Sequence, residues 1–145
     1  MKLFIRALGR EAESRAAALS MSRGGETATL YFGGGTPSML SDTHLGRLME
    51  TLDRLVPVDR LDEFSFEANP ATFTEKKVRF WRSLGMTRVS LGVQSLDSGI
   101  LHLLGREHTP AQALHSVEML KNAGMAHINM DLMFAIPGQT LSIWE

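Results

Sequence analysis

The chain contains no cysteine. That excludes disulfides, thiol nucleophiles and thiolate-bound metals among its own residues. No charge of one sign dominates: 15 basic and 16 acidic side chains leave a net charge of -1. Nucleic-acid and acidic-membrane surfaces call for a basic excess, so neither partner is expected. No apolar run is long enough to span a bilayer. Met1 to Ser20 mixes Arg, Glu and Ala instead of the continuous apolar stretch of a signal peptide, so the expected location is cytoplasmic. No Pro/Gly/Ser-rich linker divides the chain. The histidines His44, His102, His108, His115 and His127 are scattered without a metal-ligand spacing. Oligomeric state is not legible in the sequence.

What is present suits one globular domain. The chain has 145 residues and 43% hydrophobic content, enough to supply a core. Its segments alternate. Lys2 to about Ala18 reads as a helix with Leu3, Phe4, Ala7 and Leu8 on one face. Thr27 to Phe32 reads as a strand. Ser41 caps a helix to about Leu55, with an apolar stripe of Leu45, Leu48, Met49 and Leu52. Glu63 to Glu67 is a short alternating strand, broken by Asn69-Pro70. Thr74 caps a helix through Leu84, with Gly85 just past its end. Arg88 to Val93 is the third strand, and Asp97 to Leu104 a short helix. Thr109-Pro110-Ala111-Gln112 has the form of a capping box opening a helix to Asn122. His127 to Phe134 is the fourth strand, and Thr140 to Glu145 begins another helix.

Strands separated by helices pair in parallel through crossovers. The pattern is α/β, and two architectures satisfy it: an open doubly wound sheet or an arc of a β/α barrel. The chain opens on a helix and closes one turn into another, so the expectation is a central segment, 1–145, of a larger domain, truncated at both ends. The methionines Met119, Met125, Met130 and Met133 and the indole of Trp81 fall at core-like positions.

In such folds ligands lie at the carboxyl ends of the strands. Here those ends are polar. Strand one ends in Gly33-Gly34-Gly35-Thr36, strand two in Glu67 with Asn69, strand three in Gln94 and Ser95. Strand four carries Asp131, and Arg106 follows the short helix. Three glycines bare the backbone to a ligand. The carboxylates accept from an ammonium or from ribose hydroxyls, and Arg106 suits a carboxylate in a two-pronged contact. A ligand carrying amine, carboxylate and ribose together uses them all. Phosphate is less well served: the loop has no P-loop lysine and no Gly-x-Gly-x-x-Gly pattern.

Five ordered stretches carry a resemblance: Tyr31 to Ser38, Phe66 to Pro70, Leu91 to Ser95, Leu104 to His108, and Asp131 to Thr140. They resemble radical S-adenosylmethionine (SAM) proteins of the oxygen-independent coproporphyrinogen III oxidase family, and most closely its haem chaperone branch. The resemblance implies a partial (β/α)6 barrel and a SAM site. Gly33, Gly34, Gly35 and Thr36 would hold the methionine end, with Glu67, Gln94, Arg106 and Asp131 as further contacts. It implies haem or porphyrinogen as a partner of the intact protein. The alternatives are a true oxidase acting through a deoxyadenosyl radical, and a generic nucleotide-binding α/β module. The chain departs from the family twice. Ala135 stands where glycine is usual, and the Cys-x-x-x-Cys-x-x-Cys loop that binds a 4Fe-4S cluster is absent. The chain by itself is therefore expected to be inactive in radical chemistry.

Overall fold

The structure, a computed structural model, describes residues 1–16, 28–56 and 58–145. Helix α1 spans Lys2–Ala16, strand β1 Thr29–Phe32, α2 Asp42–Asp53, β2 Glu63–Ala68 and α3 Glu75–Ser83. Then come β3 at Arg88–Gln94, α4 at Ser98–Leu103, α5 at Pro110–Asn122, β4 at His127–Leu132 and α6 at Leu141–Trp144. The expected residues Ala17, Ala18 and Thr27 lie outside the described ones.

The helix starts follow their caps. Ser41, Thr74, Asp97 and Thr140 each accept a backbone N–H three residues on, and Thr109 and Gln112 form the complete capping box. Gly85 and Gly124 end α3 and α5 at φ values of 94° and 76°, which glycine adopts without a Cβ penalty.

The strands pair in parallel in the order β1-β2-β3-β4. This order decides between the two architectures. A doubly wound sheet reverses its strand order at a switch point, whereas a barrel arc adds each strand beside the last. The sheet is a barrel arc.

One face of the sheet carries the core. Phe64, Phe66 and Ala68 of β2 and Val89, Leu91 and Val93 of β3 pack with Leu45 and Met49 of α2, Val78 and Trp81 of α3, and Ala113 and Leu120 of α5. Each fully buried Leu, Val or Phe side chain contributes roughly 1.5–3 kcal/mol. Trp81 is at the centre, 4.7 Å from the Phe66 ring and 5.2 Å from that of Phe73 between centroids. Met125 is buried, and Met119 and Met130 pack against the core, but Met133 is exposed.

The α1 stripe differs from expectation. Leu3, Phe4 and Leu8 are exposed, and Ile5 and Gly9 are the buried positions. A Cβ on Gly9 would lie 3.3 Å from Thr51 Cγ2, so glycine there brings α1 close to α2. Contact with one helix, not periodicity alone, chose the buried face.

Candidate functional site

The opposite sheet face is polar, because β-strand side chains alternate. Tyr31, Glu67, Ser90, Gly92, Asn129 and Asp131 lie on it. The parallel register sets Glu67 beside Ser90, and Ser90 beside Asn129. At the carboxyl ends of the strands this face deepens into a cleft of about 290 Å³. Gly35, Thr36, Glu67, Gln94, Arg106 and Asp131 line it, together with Asn69, Ser90 and Gly92.

The glycine loop forms the first wall. It is not a floppy turn. Ser38 is fully buried, with its hydroxyl 2.6 Å from that of Thr72 and accepting from the Asn69 N–H at 3.3 Å. Lys77 donates to the Ser38 carbonyl, and the Thr36 and Pro37 carbonyls accept from Met39 and Leu40. Burial pushes the Lys77 ammonium below its usual range. Gly34 and Gly35 have φ values of 82° and 59°, where a side chain would strain the backbone. Asn69 Nδ2 donates to Thr36 Oγ1 at 3.3 Å and ties the loop to the end of β2.

Glu67 is held at both oxygens. Tyr31 Oη donates to Oε1, and the Gly34 N–H donates to Oε2 at 2.9 Å. The Tyr31 ring lies against Gly33, where a Cβ would collide with it. The hydrogen bond to Glu67 pushes the Tyr31 hydroxyl up to about 12, because ionising it would lose that bond and set two negative charges together. Gly33 and Gly34 themselves do not line the cleft. They line a neighbouring apolar hollow of about 540 Å³ between α1, β1 and α2, and Gly34 reaches the cleft only through its bond to Glu67.

Gln94 ends β3 at a break in the ladder. The register with β4 shifts between Leu91 and Gln94, and Gln94 has a φ of 69°. Such a conformation costs of order 1 kcal/mol or more and persists where surrounding contacts enforce it. The bulge re-aims the Gln94 side chain into the cleft. Gly92 makes room there: a Cβ would lie 2.9 Å from Asn69 Oδ1 and 3.3 Å from Gln94 Nε2. Arg106 is half-buried and has no ion-pair partner among the described residues. Asp131 accepts from Ser90 and from Asn129.

His108 belongs to the core. It is buried, and its Nε2 lies 3.1 Å from the Val93 carbonyl, as a satisfied core histidine. No cluster of metal-ligating side chains occurs among the described residues. No described helix is long and apolar enough to cross a membrane. Ala135 has a φ of 59°, so the position favours glycine for its backbone alone.

Sequence reasoning passed over Tyr31, Ser90, Gly92 and Asn129 as site residues. A signal existed. Arg88, Ser90 and Gly92 alternate with Val89, Leu91 and Val93, whereas a parallel strand covered on both faces is apolar throughout.

Known proteins resemble this chain along most of its length. The heme chaperone HemW of Lactococcus lactis is 41% identical over 115 residues, 79% of this chain and 30% of that protein. HemW of Bacillus subtilis is 39% identical over 118 residues, covering 81% and 31%. The mitochondrial radical S-adenosyl methionine domain-containing protein 1 of Danio rerio is 32% identical, covering 88% and 29%. Among solved structures, the coproporphyrinogen III oxidase HemN of Escherichia coli superposes with a TM-score of 0.84 at 27% identity, over 99% of this chain and 32% of that one. The chain thus spans about a third of the length of the relatives it matches. The model of the Radical SAM superfamily matches residues 10–145, and the chain belongs to that family.

Proposed function

We propose that the cleft is a SAM site and that the intact protein is a radical SAM haem chaperone of porphyrin metabolism. One observation carries the first part. Gly35, Thr36, Glu67, Gln94, Arg106 and Asp131, spread over 97 residues of chain by number, meet in one cleft of about 290 Å³. Its chemistry suits the three polar ends of SAM. Arg106, free of an internal counter-ion among the described residues, takes the carboxylate. Asp131 takes the ribose hydroxyls. Glu67, held by the Gly34 N–H, faces the ammonium or sulfonium charge, and the backbone of Gly35 and Thr36 borders the methionine end. In the intact protein, SAM bound there would supply the family's radical chemistry, with the electron that cleaves it delivered from outside this chain's own residues.

The 4Fe-4S cluster of the family does not fit this chain's own residues. They include no cysteine, so they offer no thiolate. We derive no step through a cluster. Anaerobic reconstitution with iron and sulfide is expected to give no cluster absorbance on this 145-residue chain, and its appearance would refute the point.

The second part rests on the relatives. The HemW proteins are named heme chaperones, and they are 41% and 39% identical to this chain. The structural neighbour HemN, at 27% identity, supports the alternative of a coproporphyrinogen oxidase. Haem or a porphyrinogen is the partner in either case. Calorimetry with SAM tests the site. Glu67→Ala and Asp131→Ala are each expected to weaken binding. If both variants bind as well as the unaltered chain, the assignment is wrong.

A further inference from the structure

The Asp131 carboxylate is held by two side chains that no sequence motif singled out. Ser90 Oγ lies 2.9 Å from Oδ1 and 2.8 Å from Oδ2, so its single proton is shared across the carboxylate. Asn129 Nδ2 donates to Oδ1 at 2.7 Å and to Ser90 Oγ at 3.1 Å. The three residues close a ring of hydrogen bonds across β3 and β4. The ring follows from register: Ser90 and Asn129 stand opposite one another, and Asp131 is two positions on, on the same face.

The ring leaves the two carboxylate oxygens unequal. Oδ1 accepts from both neighbours, whereas Oδ2 accepts from Ser90 alone and keeps more free acceptor capacity. Both Ser90 and Asp131 line the cleft. An aspartate in water turns broadly about its last torsion. A turning carboxylate re-optimises onto whichever hydroxyl a ligand offers and discriminates poorly. A fixed one rewards two adjacent hydroxyls, because its oxygens stand in one set plane. Losing either hydroxyl then leaves a lone pair unmatched.

We propose that Ser90 and Asn129 are positioning residues that hold Asp131 in the orientation selecting a vicinal diol over a single hydroxyl. This rests on the reading of the cleft as a SAM site with Asp131 at the ribose. Neither residue need touch the ligand. Their effect is on selectivity rather than on affinity as such.

The test is calorimetry of this chain with SAM and with its 2′-deoxyribose counterpart. The unaltered chain should bind the deoxy compound roughly tenfold more weakly, the loss of one hydrogen bond to a charged group. Ser90→Ala should shrink that ratio by roughly three- to tenfold, and Asn129→Ala by less. Ser90→Thr, which restores a hydroxyl on a β-compatible residue, should recover it. General damage to the cleft weakens both ligands alike and leaves the ratio unmoved. If Asp131→Ala collapses the ratio while Ser90→Ala and Asn129→Ala keep it, the positioning role is overturned and the SAM site stands. If the unaltered chain binds neither compound, or both equally, the underlying reading fails and the positioning role with it.

Discussion

The polar face of the sheet has two ends, and they are built differently. At the amino-terminal end of the strands, Arg88 Nε meets Glu63 Oε2 at 2.7 Å, and Ser65 donates to the other oxygen of Glu63. Each charge is answered within the chain. At the carboxyl end, Glu67 and Asp131 are held by neutral donors only, and Arg106 has no counter-ion among the described residues. The same residue types thus do opposite work thirteen or so ångströms apart, since four residues of strand span about that distance. A charge closed by its own partner maintains the sheet. A charge oriented by neutral groups keeps its attraction for something else.

Breaking the carboxyl end is expected to cost the most. Glu67→Ala and Asp131→Ala should each weaken SAM binding roughly tenfold or more, as calorimetry reads it, because each removes a hydrogen bond to a charged acceptor. Neither should unfold the chain. At the amino-terminal end, Arg88→Met should leave SAM binding unchanged.

The next effect is spectroscopic. Tyr31 is the single tyrosine, so the ultraviolet absorbance of tyrosinate reports on it alone. The expected titration midpoint is about 12, and Glu67→Ala, which removes the acceptor, should return it toward the ordinary 10.0. The sign follows from linkage. The folded state binds this proton more tightly, so the Tyr31–Glu67 bond stabilises the fold below the ordinary tyrosine value and is lost as pH rises through the folded one. An unchanged midpoint in the Ala variant would show that Glu67 does not hold Tyr31.

Ala135→Gly should stabilise the chain by about 1 kcal/mol in chemical denaturation, since it relieves a left-handed alanine. Equal or lower stability would show that the turn after β4 carries no such strain.

The smallest effect belongs to the closed ion pair. Ser65 first, and Arg88 next, hold the Glu63 carboxyl below its usual range. That contribution is present above the ordinary glutamate value and is lost as pH falls through the lowered folded value. Arg88→Met should therefore cause a small loss of stability near neutral pH that narrows in acid. A loss independent of pH would argue that packing of the arginine stem, not its charge, matters there.

Much of this was legible before any fold was known. Ser41, Thr74, Asp97 and Thr109 marked helix starts because capping is a local bond between a side chain and an N–H three residues away. Glycines at strand ends and the alternation of β-formers placed four strands within a residue or two. The family motifs named Gly35, Thr36, Glu67, Gln94, Arg106 and Asp131, which meet at the cleft, but not Ser90 or Gly92, which line it too. Less visible were residues acting through another side chain. Tyr31 and Ser90 look like ordinary strand residues, and their roles depend on partners 36 and 41 positions away. The α1 face was misjudged for the same reason, because burial there depends on what lies across from the helix.

The sequence alone determined the elements, their caps, the glycine loop and the absence of thiolate ligands. These are consequences of local bonding and composition. Only the tertiary structure decided that the sheet is an arc and not doubly wound, since strand order is a matter of which edges pair. It alone set Gly33 and Gly34 behind the cleft wall instead of in it. It also joined Ser90, Asn129 and Asp131 into one ring, because parallel register, a property of the backbone ladder between strands, determines which side chains stand side by side.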